Sequence, residues 1–263
     1  MRSRIYNIKS IFTWDLKLDD LVQINNSEIL IDNGYIKKIS KKVEYTNNDI
    51  DAGNTIITPG FIDSHTHPIF IGNRADELSM RVSGSSYEEI SAKGGGIISS
   101  IKNVRESTFD ELYDSSKINV RSIIKNGTTL LEAKSGYGLT FNDEIKSLSV
   151  IKLLNDKLPI EIISTFLGAH AFPPEYKENE DDYIKIICEE MIPEIANNNL
   201  AEFCDVFCEE GYFSVKQSRK ILETAKKYGL IPRLHADEFI DSGAAELASE
   251  ISAVSADHLM AIS

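Results

Sequence analysis

Residues 59 to 67 read Pro59-Gly60-Phe61-Ile62-Asp63-Ser64-His65-Thr66-His67. An apolar strand, expected from Ile57 to Ser64, runs into two histidines two positions apart. Residues so spaced in an extended segment point to the same face. Two imidazoles on one face can grip a single divalent cation. A His-x-His pair taken alone is more often incidental, so the surrounding chain has to decide its meaning.

Downstream of this stretch, apolar strands alternate with amphipathic helices, the signature of βαβ units and a parallel sheet. Six strands are expected: Ile57 to Ser64, Thr128 to Ala133, Ile160 to Leu167, Phe203 to Cys208, Ile231 to His235 and Ala253 to Asp257. Helices are expected at Asp143 to Leu154, Asp182 to Ala196, Ser214 to Tyr228 and Ser242 to Glu250, with Ser214 as an N-cap. Six such units suit a doubly wound sheet or most of an eight-stranded barrel of about 250 residues. Asp76 to Arg105 breaks the rhythm with a long excursion containing Gly94-Gly95-Gly96, and a loop of that size is usually functional. The sixth strand is followed almost at once by Ser263, so the barrel reading lacks two units and a truncated chain is expected.

Upstream lie shorter strands: Arg4 to Trp14, Glu28 to Ser40 folded about Asn33-Gly34, and Ile50 to Ile57. Asn-Gly between alternating apolar segments is a strong hairpin signal. So short a segment should need a second stretch of chain to complete its sheet. Two parts are therefore expected, residues 1–56 and residues 57–263.

The chain of 263 residues carries 28 Lys and Arg against 41 Asp and Glu, a net charge of -13. That field repels phosphate backbones and anionic lipid surfaces, so neither nucleic acid nor membrane is an expected partner. No apolar run approaches the roughly 18 residues of a spanning helix. Cys188, Cys204 and Cys208 lack metal-ribbon spacing, and Met1 to Lys9 lack the apolar core of a signal peptide. A cytoplasmic protein with small buried cysteines is the expectation. An anionic substrate would need a local cation against such a field, which draws attention to Arg74, seven positions after His67. Its planar guanidinium suits bidentate capture of a carboxylate.

All five histidines, His65, His67, His170, His235 and His258, fall at or just beyond the C-terminal end of an expected strand. In parallel α/β architectures those ends converge on the ligand site. The set therefore reads as a metal and acid-base site. His235-Ala236-Asp237-Glu238 adds a carboxylate that could accept a proton from activated water and return it to a leaving nitrogen. Spacing alone leaves Asp237 and Glu238 both open for that role. Tyr137 and His170, after the second and third strands, could fix a polar heterocycle.

Six segments carry a specific resemblance: Pro59 to His67, Gly94-Gly95-Gly96-Ile97, Lys134-Ser135-Gly136-Tyr137-Gly138-Leu139, Gly168-Ala169-His170-Ala171 with Pro173-Pro174-Glu175-Tyr176, His235-Ala236-Asp237-Glu238, and Ser255-Ala256-Asp257-His258-Leu259. In this order they resemble the imidazolonepropionases of the metal-dependent amidohydrolase superfamily. The resemblance implies a (β/α)8 TIM barrel, about six βα units of it present, with residues 1–56 forming the N-terminal part of a small composite β-sandwich. It implies one divalent or trivalent metal ion, zinc or iron, held by His65, His67 and His235. The family's further aspartate ligand, from strand eight, has no counterpart here. It assigns Arg74, Tyr137, His170 and Glu238 to the substrate. Glu238 would also shuttle the proton, and His258 would polarise the carbonyl or orient the nucleophile. The implied reaction is hydrolysis of 4-imidazolone-5-propanoate to N-formimidoyl-L-glutamate in histidine degradation, by metal-activated water in a homodimer. A related amidohydrolase deaminating a nucleobase is the alternative, and an inactive truncated fragment is another.

Overall fold

The computed structural model describes residues 1–72, 82–84 and 97–263, and by its contacts the chain divides into Met1–Gly60 and Phe61–Ser263. Asp76 and the glycine run at 94–96 lie outside the described residues.

The first unit is a single five-stranded sheet of β1 (Arg2–Asp15), β2 (Asp20–Asn25), β3 (Glu28–Asp32), β4 (Tyr35–Ser40) and β5 (Asp49–Ile57). Strand β2 was not expected. Its pairing with residues 10–15 of β1 lets this segment build its sheet from its own residues. Residues 2–5 of β1 pair instead with β3, and β5 runs parallel along β1 with register shifts around Ile8. At the first of these shifts β5 carries the extra residues, among them Gly53 and Asn54 at φ 60° and 59°, opposite Asn7 at φ 56°. Asn33 and Gly34, at φ 52° and 84°, form the expected tight turn between β3 and β4.

Among its described residues the second unit has six parallel strands, β6 (Phe61–Thr66), β7 (Thr128–Lys134), β8 (Glu161–Ala169), β9 (Phe203–Cys208), β10 (Ile231–Ala236) and β11 (Ser255–His258), hydrogen-bonded in sequence order. Sequential parallel order with a helix between neighbours is barrel progression. The expected strand beginning at Ile57 starts instead at Phe61. Ile57 closes β5, and Pro59-Gly60 interrupts because proline offers no ladder N–H.

Helices among the described residues include α1 (Ile97–Glu106), α2 (Phe109–Lys125), α3 (Phe141–Lys157), α4 (Glu180–Ile186), α5 (Ile192–Asn197), α6 (Val215–Lys227) and α7 (Ala244–Glu250). Helix α1 occupies the last part of the expected excursion. Helix α2, absent from the sequence expectation, starts at a capping box in which Thr108 and Glu111 satisfy each other's backbone. Ser214 caps α6 as expected, again with a reciprocal partner, Gln217. The helix expected over Asp182 to Ala196 is broken by a π turn at Ile187–Met191. Pro193, which lacks an N–H, follows at once, and the wider turn absorbs the missing hydrogen bond.

Leu112, Val120, Leu131, Phe166, Val206 and Leu222 are among the fully buried residues that weld helices to strands in one cluster. Cys188, Cys204 and Cys208 are buried too, and burial pushes the Cys204 thiol well up. No helix among the described residues is long and apolar enough to cross a membrane.

Candidate metal and catalytic site

The histidines meet where the strands end. Ring centroids of His65 and His67 are 5.3 Å apart, those of His65 and His235 4.5 Å, and those of His67 and His235 5.4 Å. His170 stacks against His67 at 5.1 Å, and His258 stands 5.2 Å from His65 and 5.1 Å from His235. The three expected metal ligands are thus brought together. Among the described residues, the tightest all-nitrogen groupings also draw in the other two rings, as His65-His235-His258 and His67-His170-His235, each within 4.8 Å. Tyr137 closes the side of the cluster, 5.8 Å from His67 and 5.3 Å from His170. Arg74 lies outside the described residues.

The backbone that carries these rings is pinned. Thr66 donates its hydroxyl to the Glu132 carbonyl at 2.6 Å, tying the end of β6 to β7. After His67, Asn119 and Ser115 of α2 donate to the carbonyls of Pro68 and Phe70 at 3.0 and 2.9 Å. His170 Nδ1 is 2.9 Å from the Gly136 carbonyl, which accepts a hydrogen bond from the Nδ1–H tautomer and leaves Nε2 with the open lone pair.

Two features fit a metal ion. His67 Nε2 and His235 Nε2 are 3.3 Å apart. Two nitrogens each about 2.0–2.1 Å from one tetrahedral zinc would be separated by about 3.3–3.4 Å. His67 and His170 are also kept in the neutral form that a ligand needs. Burial, aided by the neighbouring imidazoles and Lys134, keeps His67 well below the ordinary histidine value. Burial, then His235, brings His170 down to about 3.

Beneath the rings lies a set of charges that the sequence reading missed. Lys134 is fully buried, with Nζ 2.8 Å from both Glu132 Oε1 and Asp205 Oδ2. Asp205 Oδ1 accepts the His235 N–H at 3.1 Å, and its Oδ2 lies 3.0 Å from His235 Nδ1. Burial alone would raise Asp205, but His235 and Lys134 overcome it and hold the carboxyl well below the usual range. Asp257, at the end of β11, receives His65 Nδ1 at 2.9 Å and Arg233 at 3.3 Å. Arg233 also donates to the Ser64 carbonyl at 2.9 Å. These contacts bring the first and last strands of the ladder together, so the sheet is curled around its charges. The available signal was charged residues inside apolar strands: a buried parallel strand tolerates such a residue only if it is paired.

The two carboxylates after His235 separate clearly. Asp237 accepts from the N–H groups of Ser242, Ala244 and Ala245 at 2.9, 3.2 and 2.9 Å, so it is committed to the start of α7. Glu238 Oε2 instead faces His258 Nε2 at 3.6 Å. Asp237 and His258 are non-glycine residues at positive φ, 49° and 77°. Local strain of this kind is tolerated where surrounding structure over-determines it.

A scan against protein-family models gives no match. Among curated proteins, the chain is 50% identical over 226 residues to the imidazolonepropionase of Shouchella clausii (strain KSM-K16), covering 86% of this chain and 50% of that protein. It is 48% identical over 250 residues to the imidazolonepropionase of Clostridium tetani (strain Massachusetts / E88), covering 92% and 60%. The Fusobacterium nucleatum imidazolonepropionase is 42% identical over 271 aligned positions, covering 98% and 65%. The chain thus spans 50 to 65% of the length of these relatives. In structure it is similar to the 5-methylcytosine deaminase from Klebsiella pneumoniae, with a TM-score of 0.64, 14% identity, and coverage of 95% of this chain and 55% of that one. It is also similar to the guanine deaminase from C. acetobutylicum, with a TM-score of 0.59, 18% identity, and coverage of 96% and 57%. At such identities these likenesses speak for the fold. Over most of its length the chain is thus similar in sequence to half or more of several imidazolonepropionases, and over nearly all of it similar in fold to the two deaminases.

Proposed function

We propose that the site hydrolyses the lactam C–N bond of 4-imidazolone-5-propanoate, giving N-formimidoyl-L-glutamate in histidine degradation. The observation that carries this reading is the convergence of five imidazoles and Glu238 at the strand ends of a chain 42 to 50% identical to imidazolonepropionases. His65, His67 and His235 would hold zinc or iron, which when bound would supply the Lewis acidity that makes water nucleophilic near neutral pH. Glu238 takes the proton of the attacking water and delivers it to the ring nitrogen that leaves. His258 orients that carboxylate and hydrogen-bonds the carbonyl under attack. Tyr137 and His170 fix the heterocycle, and Arg74 anchors the propanoate, so that the ring is held in place for attack. In this reading residues 1–56 contribute to a small composite β-sandwich and residues 57–263 to the hydrolase barrel of a cytoplasmic homodimer. Neither nucleic acid nor membrane is a partner.

The test offers 4-imidazolone-5-propanoate to the chain supplied with zinc or iron, following loss of the imidazolone absorbance and formation of formimidoylglutamate. Ring opening without ammonia release is expected. Ammonia released from guanine or a cytosine, with imidazolone propanoate untouched, would give the site to deamination.

A further inference from the structure

Glu209 is 2% exposed, and both oxygens of its carboxylate are engaged. Oε2 accepts the N–H groups of Glu238 and Phe239 at 2.8 and 3.0 Å, and Oε1 accepts that of Glu210 at 3.2 Å. A buried carboxyl is expensive to desolvate unless its lone pairs are filled. Here the loop that carries Glu238 fills them. The side chain itself stands on a fixed turn. The Glu209 N–H donates to the Phe213 carbonyl at 3.2 Å, and the Tyr212 N–H donates to the Glu209 carbonyl at 3.1 Å. On the other side of Glu238, Asp237 is tied to the start of α7. The Glu238 peptide is therefore clamped from both directions, by a carboxylate after β9 and by one after β10.

We infer that Glu209 is a positioning residue, whose carboxylate fixes the Glu238 peptide so that the Glu238 side chain faces His258 and the reacting centre. This deepens the proposed function and rests on Glu238 as its proton carrier.

The test uses the full chain loaded with zinc, as Glu209→Ala, Glu209→Gln, Glu238→Gln and the double variant Glu209→Ala/Glu238→Gln. Glu209→Ala should lower kcat about 10- to 100-fold while KM stays within about twofold and metal content is unchanged. Glu209→Gln, whose amide oxygen can replace Oε2, should recover most of the loss. In the Glu238→Gln background, Glu209→Ala should cost nothing further. Losses that multiply in the double variant, or a kcat per bound zinc that Glu209→Ala leaves unchanged, would overturn the assignment. Amide hydrogen exchange is read on the same proteins without substrate. Faster exchange confined to Glu238 and Phe239 in Glu209→Ala supports the clamp, and unchanged exchange there defeats it. If the parent chain opens no imidazolone, the proposed function fails by itself, and the exchange measurement still decides on Glu209.

Discussion

Lys134 has no exposed side-chain surface, and its charge is met by Glu132 and Asp205 at 2.8 Å each. Breaking a buried ion pair by removing one partner costs about 3–5 kcal/mol, because the partner left behind stays charged in a poor solvent. Lys134→Met, which strands two carboxylates, is expected to lower the unfolding free energy by that amount in urea titrations. A change below about 0.5 kcal/mol, the range of surface substitutions, would show the three groups to be solvated. At this scale the sequence was legible for the imidazoles and opaque for what supports them. Histidines stand out by lying at strand ends. Glu132-x-Lys134 sits inside a strand, where the same alternation reads equally well as a solvent-facing edge. Only the closeness of β7, β9 and β11 across the barrel shows that the charges meet each other.

In the turn between β7 and α3, Lys134 to Leu139, one side chain takes three of the backbone donors. Glu144 accepts the N–H groups of Gly136, Gly138 and Leu139 at 3.1, 2.9 and 2.9 Å. Gly136 sits at φ +103°, and a Cβ there would come within 2.7 Å of the Leu167 carbonyl, so the turn allows no side chain at that point. Burial pushes Glu144 above its ordinary value of 4.5, against the pull of Ser135 and the three backbone donors. A carboxyl whose folded value is raised contributes stability that is fully present below its unfolded value and is lost as pH climbs through the folded one. Replacement by Gln removes that titration at the cost of one acceptor. Wild type is therefore expected to lose ground against Glu144→Gln as pH rises from about 4.5 to 7. Denaturant midpoints of the pair at both pH values check this, and a difference independent of pH would refute it.

The elements themselves were read well where apolar runs are uninterrupted, as at Phe203–Cys208 and around Ser214. They were misread where backbone chemistry intervened: Pro59-Gly60 displaced the start of β6, and Pro193 forced the π turn into the helical stretch after Asn179. Helix α2 was passed over although Thr108-x-x-Glu111 marks its start, since its polar residues blurred the apolar stripe.

For the whole molecule, the alternation of strands and helices predicted parallel progression, and sequential pairing bears it out. The alternation alone left a doubly wound sheet and a barrel both open, and the resemblance implied the barrel; what curls the sheet, contacts between side chains from opposite ends of the ladder, shows only in the structure. If the cluster holds a cation, binding draws β6 and β10 together and favours the folded state. Free zinc at about a hundredfold over its Kd should stabilise the chain by about 2.7 kcal/mol, a gain that a chelator reverses. His235→Ala should abolish the gain in thermal unfolding, and an equal gain in that variant would place the ion elsewhere.

His65 and Asp257, which touch across the mouth of the barrel, are 192 positions apart. Ribosomes add about 5–20 residues each second, so the imidazole emerges tens of seconds before its carboxylate is made. The contact between them cannot form until residue 257 has been added and has left the ribosome. A translational pause before codon 257 would leave the paired imidazoles of the first strand waiting without their acidic counterpart.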